Sequence, residues 1–165
     1  MTQHLLDRRR LLGLVGLGGT ALAMGACAAD SDAAPAAPFQ LSDAQWRARL
    51  SPAQYRVLRE EGTERPYSSP LNKEKRAGIF ACAGCGQPLF SSATKFESGT
   101  GWPSFWKPLN AGVTTREDRS MWMRRTEVRC ARCAGHLGHV FDDGPKPTGK
   151  RFCMNGVAMT FTPKA

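Results

Sequence analysis

The chain has 165 residues, room for one ordinary domain and too few for two. Seventeen Gly and eleven Pro argue for a turn-rich fold and against a helical bundle. The formal charge is +9; Arg8, Arg9 and Arg10 against Asp7 account for +2, and the remaining +7 forms no dense run, which reads as a solvated basic surface and not a nucleic-acid footprint.

Residues 1–27 read as a twin-arginine signal peptide: Asp7-Arg8-Arg9-Arg10 precedes an apolar run, Leu11 to Ala26, that is short for a bilayer span. Ala23-Met24-Gly25-Ala26-Cys27 resembles a relaxed lipoprotein box. Cleavage there would leave Cys27 lipid-bearing; ordinary cleavage between Gly25 and Ala29 is the alternative. Residues 28–38 are Ala, Asp, Ser and Pro, a composition that cannot bury apolar surface, and read as a flexible tether. The folded domain is expected over 39–165, located in the periplasm or cell envelope.

Ser42 is placed to cap a short helix carrying Ala44, Trp46 and Leu50. Ser51-Pro52 starts a second helix with Tyr55, Val57 and Leu58 on its apolar face and Gly62 at its end. From Gly78 onward the pattern changes to short apolar or alternating runs punctuated by Gly, Pro, Asn and Asp: Ile79 to Cys82, Pro88 to Phe90, Ser120 to Cys130, His139 to Phe141 and Arg151 to Phe161. The predicted architecture is a small, mainly β, barrel-like domain behind short N-terminal helices.

Four of the six cysteines form two near-copies, Cys82-Ala83-Gly84-Cys85-Gly86 and Cys130-Ala131-Arg132-Cys133-Ala134-Gly135. Two thiols across a glycine-assisted turn, twice, is the zinc-knuckle arrangement; four protein ligands make a closed, structural site. Two disulfides compete, since export leads to an oxidising compartment. A redox Cys-x-x-Cys is a third option, but it normally occurs once, at a helix start. Twin-arginine export carries folded proteins, so zinc can load before the thiols meet oxidant, which favours zinc.

Cys153 stands apart within Lys150-Arg151-Phe152-Cys153-Met154-Asn155. On a strand, Arg151, Cys153 and Asn155 share one face, setting a guanidinium and an amide beside a thiol. A buried, inert cysteine is the competing reading. His136 and His139, just past the second knuckle, supply the usual partner of an activated thiol, with His139 as proton donor and His136 beside the substrate. Gly99-Thr100-Gly101-Trp102-Pro103-Ser104-Phe105-Trp106 reads as a loop displaying aromatic rings, one of the two Trp filling the core.

Together these motifs resemble the B-type methionine sulfoxide reductases, specific for the R epimer at sulfur. The likeness runs from about Trp46 to Phe161 and includes Gly62-Thr63-Glu64-Arg65-Pro66, Lys95 to Phe105, Glu127-Val128-Arg129-Cys130, His136 to Phe141 and Arg151 to Asn155. It implies two antiparallel sheets, Cys153 as nucleophile, Cys82, Cys85, Cys130 and Cys133 as ligands of one structural Zn²⁺, Trp102 as the aromatic wall for the substrate methyl, and His139, Arg151 and Asn155 as its polar pocket. It further implies oxidised proteins carrying methionine-R-sulfoxide as substrates and a thioredoxin-like reductant as partner. A monomer is expected, with membrane attachment only through a lipid on Cys27. Many relatives carry a resolving cysteine where this chain has Thr100, so an external thiol is expected to regenerate Cys153. A zinc-ribbon binding module and an envelope thiol oxidoreductase of other specificity are the rival readings.

Overall fold

The computed structural model describes residues 39–120 and 123–164. The signal segment 1–27, Cys27 and the tether 28–38 lie outside them. Helix α1 spans Asp43–Arg49 and α2 spans Pro52–Glu60. Each begins with a serine whose side chain accepts from the backbone three residues on, while Gln45 or Gln54 reaches back to the serine's own N–H. Pro52 opens α2, where its missing N–H costs nothing. The helix ends one residue earlier than its sequence suggests: Glu61, not Gly62, takes the left-handed cap at φ 56°. Gly62 is needed for close approach, since a Cβ there would lie 2.8 Å from the Arg56 carbonyl oxygen.

Among the described residues nine strands follow: β1 Gly78–Cys82, β2 Pro88–Ser91, β3 Lys95–Phe96, β4 Ser104–Phe105, β5 Val113–Asp118, β6 Arg125–Cys130, β7 His136–Phe141, β8 Arg151–Met154 and β9 Met159–Pro163. They form two antiparallel sheets, as the resemblance implied: a three-stranded one ordered β2-β1-β9 and a six-stranded one ordered β3-β4-β8-β7-β6-β5. The run Arg151 to Phe161 is therefore not one strand. It leaves the larger sheet at Met154, turns through a 3-10 segment at Gly156–Ala158, and enters the smaller sheet as β9. Strand β6 begins at Arg125 and not at Ser120, and β5 lies at the sheet edge with Thr114 to Glu117 exposed.

Aromatic rings tie the sheets together. Phe90 stacks on Phe105 at 4.3 Å between centroids, and Phe80 meets the same ring edge-on at 5.0 Å. Neither Trp102 nor Trp106 is fully buried; Phe105, between them in sequence, takes the core position. Among the described residues no helix is long and apolar enough to cross a membrane.

Candidate active site

The two cysteine turns follow β1 and β6 and repeat each other bond for bond. Cys82 N–H donates to Gln87 O and Cys130 N–H to Gly135 O; Gly86 N–H returns to Cys82 O and Ala134 N–H to Cys130 O. The left-handed residue is Gly86 in the first turn (φ 74°) but Ala134, not a glycine, in the second (φ 56°). The glycines Gly84 and Gly135 instead admit the helices: a Cβ would sit 3.2 Å from the Trp46 ring at Gly84 and 3.0 Å from Leu58 at Gly135. The four thiols are buried, with Sγ atoms all within 4.8 Å of one another, Cys82 to Cys133 at 3.7 Å and Cys85 to Cys130 at 3.5 Å. This set can hold one metal ion. Four arginines donate to carbonyls of the same turns: Arg49 to Gly84, Arg132 to Cys85, Arg59 to Cys133 and Arg129 to Ala134. They place positive charge around a centre that four thiolates would make negative.

Cys153 lies on β8 between two neighbours, opposite Ser104 on β4 and His139 on β7. Directly opposed residues project from the same side of a sheet, so Cys153 and His139 share a face, as do Arg151 and Phe141 two residues along. The close approach of β7 to β8 requires Gly138, where a Cβ would lie 2.1 Å from the Cys153 carbonyl oxygen. Cys153 opens onto a cavity of about 150 Å³ walled by Thr63, Trp102, Arg125, His139, Phe141 and Asn155. Of the described thiols it alone is partly exposed. A larger cavity of about 520 Å³ is lined by Val57, Glu64, Arg65 and Met159 and contains no thiol or histidine.

His139 Nε2 is 2.8 Å from Asp118 Oδ2, and Arg125 Nη2 reaches the same oxygen at 2.7 Å. Bonds from the Ser120 backbone N–H and hydroxyl, then from His139 and Arg125, hold the Asp118 carboxyl well below the usual carboxylate range, so it is ionised and accepts the His139 proton. Burial pushes the imidazole below 6.5, and the Asp118 carboxylate works in the opposite direction without cancelling it. Arg151 pairs twice with Asp143 at 2.8 Å and lies over the Phe141 ring at 4.4 Å. Asp143 first, and the charge of Cys153 as well, hold its guanidinium above its ordinary value.

Not every expected residue faces the cavity in the same way. Asn155 lies just beyond the end of β8, and its buried amide is engaged by the Glu64 N–H at 2.9 Å and the Leu137 carbonyl at 3.1 Å. His136 is 3 % exposed, bonded through Nδ1 to Glu127, and is not part of the cavity wall; its ring meets that of His139 at 5.4 Å. Its Nε2 has no partner among the described residues. Trp102 lines the cavity, its indole N–H donating to Glu64 O at 3.2 Å. Thr100 Oγ1 comes to 3.8 Å from Cys153 Sγ and begins a hydroxyl chain through Ser98 (2.8 Å) to Ser104 (2.7 Å). Sequence reasoning singles out neither Asp118 nor Arg125, which the structure sets opposite each other across β5 and β6.

Residues 50–163 match the family described as the SelR domain, a stretch that holds all four clustered cysteines and Cys153. The chain belongs to the SelR domain family. Within the described residues this SelR domain contains every strand and helix named above except α1. It is 57% identical over 125 residues to the "Peptide methionine sulfoxide reductase MsrB" of Methanosarcina mazei, covering 75% of this chain and 89% of that one. The proteins of the same name from Agrobacterium fabrum and Thiobacillus denitrificans are 54% and 56% identical, over 74% of this chain and 91% and 94% of theirs. Among solved structures, the Mis18 "Yippee-like" domain superposes with a TM-score of 0.45 at 16% identity, over 55% of this chain and 99% of that chain, and carries no functional weight.

Proposed function

We propose that this SelR domain, a peptide methionine sulfoxide reductase by its family, acts on the R epimer through a sulfenic acid on Cys153. The observation that carries the reading is the partly exposed thiol lining a small cavity with an aromatic wall, Trp102, and a carboxylate-held imidazole, His139. A thioether methyl packs favourably on an indole face. The Cys153 sulfur attacks the sulfoxide sulfur while the oxygen takes a proton, which His139, anchored through one ring nitrogen on Asp118, passes from its other nitrogen when the imidazole is protonated. Oxygen passes to the cysteine sulfur, so one thiol and one sulfoxide become one sulfenic acid and one thioether. Two external thiols then return the sulfenic acid to a thiol, forming one disulfide and one water. Arg151 supplies fixed positive charge beside the attacking sulfur.

The four-cysteine set fits zinc. Tetrahedral coordination at about 2.3 Å places sulfurs about 3.8 Å apart, close to the spacings of 3.5 and 3.7 Å. Zinc, when bound, supplies a four-thiolate crosslink between the turns after β1 and β6. The Arg8–Arg10 segment and the apolar run behind it support export by the twin-arginine route, with Cys27 lipidated or removed, and hence a thioredoxin-like reductant in the envelope. The monomeric chain would act there on oxidised proteins.

Methionine release by the wild type and by Cys153→Ser tests this. Without reductant the wild type should release one equivalent of methionine per chain, and with dithiothreitol many. Cys153→Ser should release none while keeping its metal. Undiminished turnover by Cys153→Ser would refute the assignment.

A further inference from the structure

The segment between α2 and β1 reaches Trp102 and Asn155 of the Cys153 cavity, and one residue of it bonds through every polar group it has. Glu64 is 8 % exposed. Its backbone N–H donates to Asn155 Oδ1 at 2.9 Å and its carbonyl accepts from the Trp102 indole at 3.2 Å. Its carboxylate accepts from the backbone N–H of Gly156 at 2.6 Å and of Val157 at 2.8 Å. These last two are the leading N–H groups of the 3-10 turn that follows Cys153. Asn155 occupies that turn's cap position but gives it no side-chain bond. Glu64 therefore provides the cap from 92 positions away in sequence, and Asn155 is released to hold Glu64.

The rest of the segment is fixed in the same sense. Tyr67 donates from its backbone to Gly101 O and from its phenol to Gly99 O, both at 2.7 Å, which pins the loop carrying Thr100. A Cβ on Gly156 would lie 2.1 Å from Ser69 Oγ, so the segment packs directly on the turn. Burial raises the Glu64 carboxyl, and the two backbone donors oppose that. An apolar side chain would avoid this desolvation cost but could satisfy neither N–H.

We propose that Glu64 is a positioning residue that sets Trp102 and the Cys153 turn in one fixed relation. This rests on the reading above, with Cys153 as the reacting group. The chemistry needs sulfoxide sulfur, methyl wall and thiol aligned together, and a displacement of about 1 Å in such a site can cost on the order of 100-fold in rate.

The test compares wild type, Glu64→Gln and Glu64→Ala as full chains carrying zinc, with dithiothreitol as reductant. Glu64→Gln keeps the length and one acceptor but turns an amide toward a second N–H donor. It should lower kcat by about tenfold per zinc-loaded chain, with Glu64→Ala lower still, and should move the Trp102 indole ¹⁵N–¹H resonance while that of Trp46 stays. In the wild type, whatever the variants do, the Trp102 indole and the Gly156 and Val157 amides should exchange with solvent slowly. Unchanged kcat and an unmoved Trp102 resonance in Glu64→Gln would overturn the proposal, as would rapid wild-type exchange at those three groups. A wild type that reduces no sulfoxide would instead overturn the functional reading itself.

Discussion

Thr100→Cys places a second thiol beside Cys153 and asks whether the missing step is only a missing atom. Thr100 Oγ1 is 3.8 Å from Cys153 Sγ. A disulfide needs about 2.05 Å, so the pair must close by roughly 1.8 Å. A longer Cβ–Sγ bond and a χ1 rotation supply part of that. Backbone at Gly99 and Gly101, both at positive φ (74° and 91°), can supply the rest. Tyr67 resists, because a Cβ on Gly101 would already sit 2.9 Å from its ring. The bond would span 53 positions and stabilise the oxidised form by roughly 4 kcal/mol through lost chain entropy. The assay is one equivalent of sulfoxide without reductant, then peptide mapping by mass spectrometry and a denaturant titration. Wild type should show a gain of one oxygen on the Cys153 peptide. Thr100→Cys should show a disulfide between the introduced thiol and Cys153, with a raised unfolding midpoint. A persistent sulfenic acid in the variant would refute the reasoning about reach. A wild-type disulfide between Cys153 and a knuckle cysteine, with zinc released, would refute the separation of the two sites.

Cys130→Ser should lower zinc content and soluble yield together, since structural zinc supplies on the order of 10 kcal/mol to small metallo-domains; complete metal loss with an unchanged unfolding curve contradicts this. Asp118→Asn removes the one partner that raises the His139 imidazole, so its titration midpoint, followed by NMR, should move further below 6.5 and sulfoxide reduction should slow by up to about 100-fold. A midpoint that rises would show that the Asp118 carboxylate is not what holds the imidazole up. Changing Arg8, Arg9 and Arg10 to Lys should hold the protein in the cytoplasm, and fractionation that still finds it outside removes the twin-arginine assignment.

The parts of this molecule legible in its sequence are those written over short spans. The two Cys-x-x-Cys turns, the Ser42 and Ser51 caps, and the alternation of β1 are each complete within a few residues. Strand β5 was not legible, because an edge strand with Thr114 to Glu117 in solvent carries no apolar alternation. Asp118 was lost with it: its meaning comes from His139, 21 positions away, and from Arg125 across the strand pair. From the sequence Asn155 reads as a third residue on a strand face, whereas the chain changes sheets there and its amide serves Glu64, 91 positions away. The single glycine of the second knuckle is misleading in the same way, since what packs on Gly135 is Leu58 of α2, while Ala134 takes the left-handed turn position.

The account stands most directly on turnover of the separate sulfoxide epimers by the full chain with dithiothreitol. It predicts that methionine is released from the R epimer in repeated turnovers, that the S epimer is left intact, and that Cys153→Ser abolishes the reaction while zinc remains bound. Reduction of the S epimer at a comparable rate, or of neither epimer by zinc-loaded protein, would contradict it.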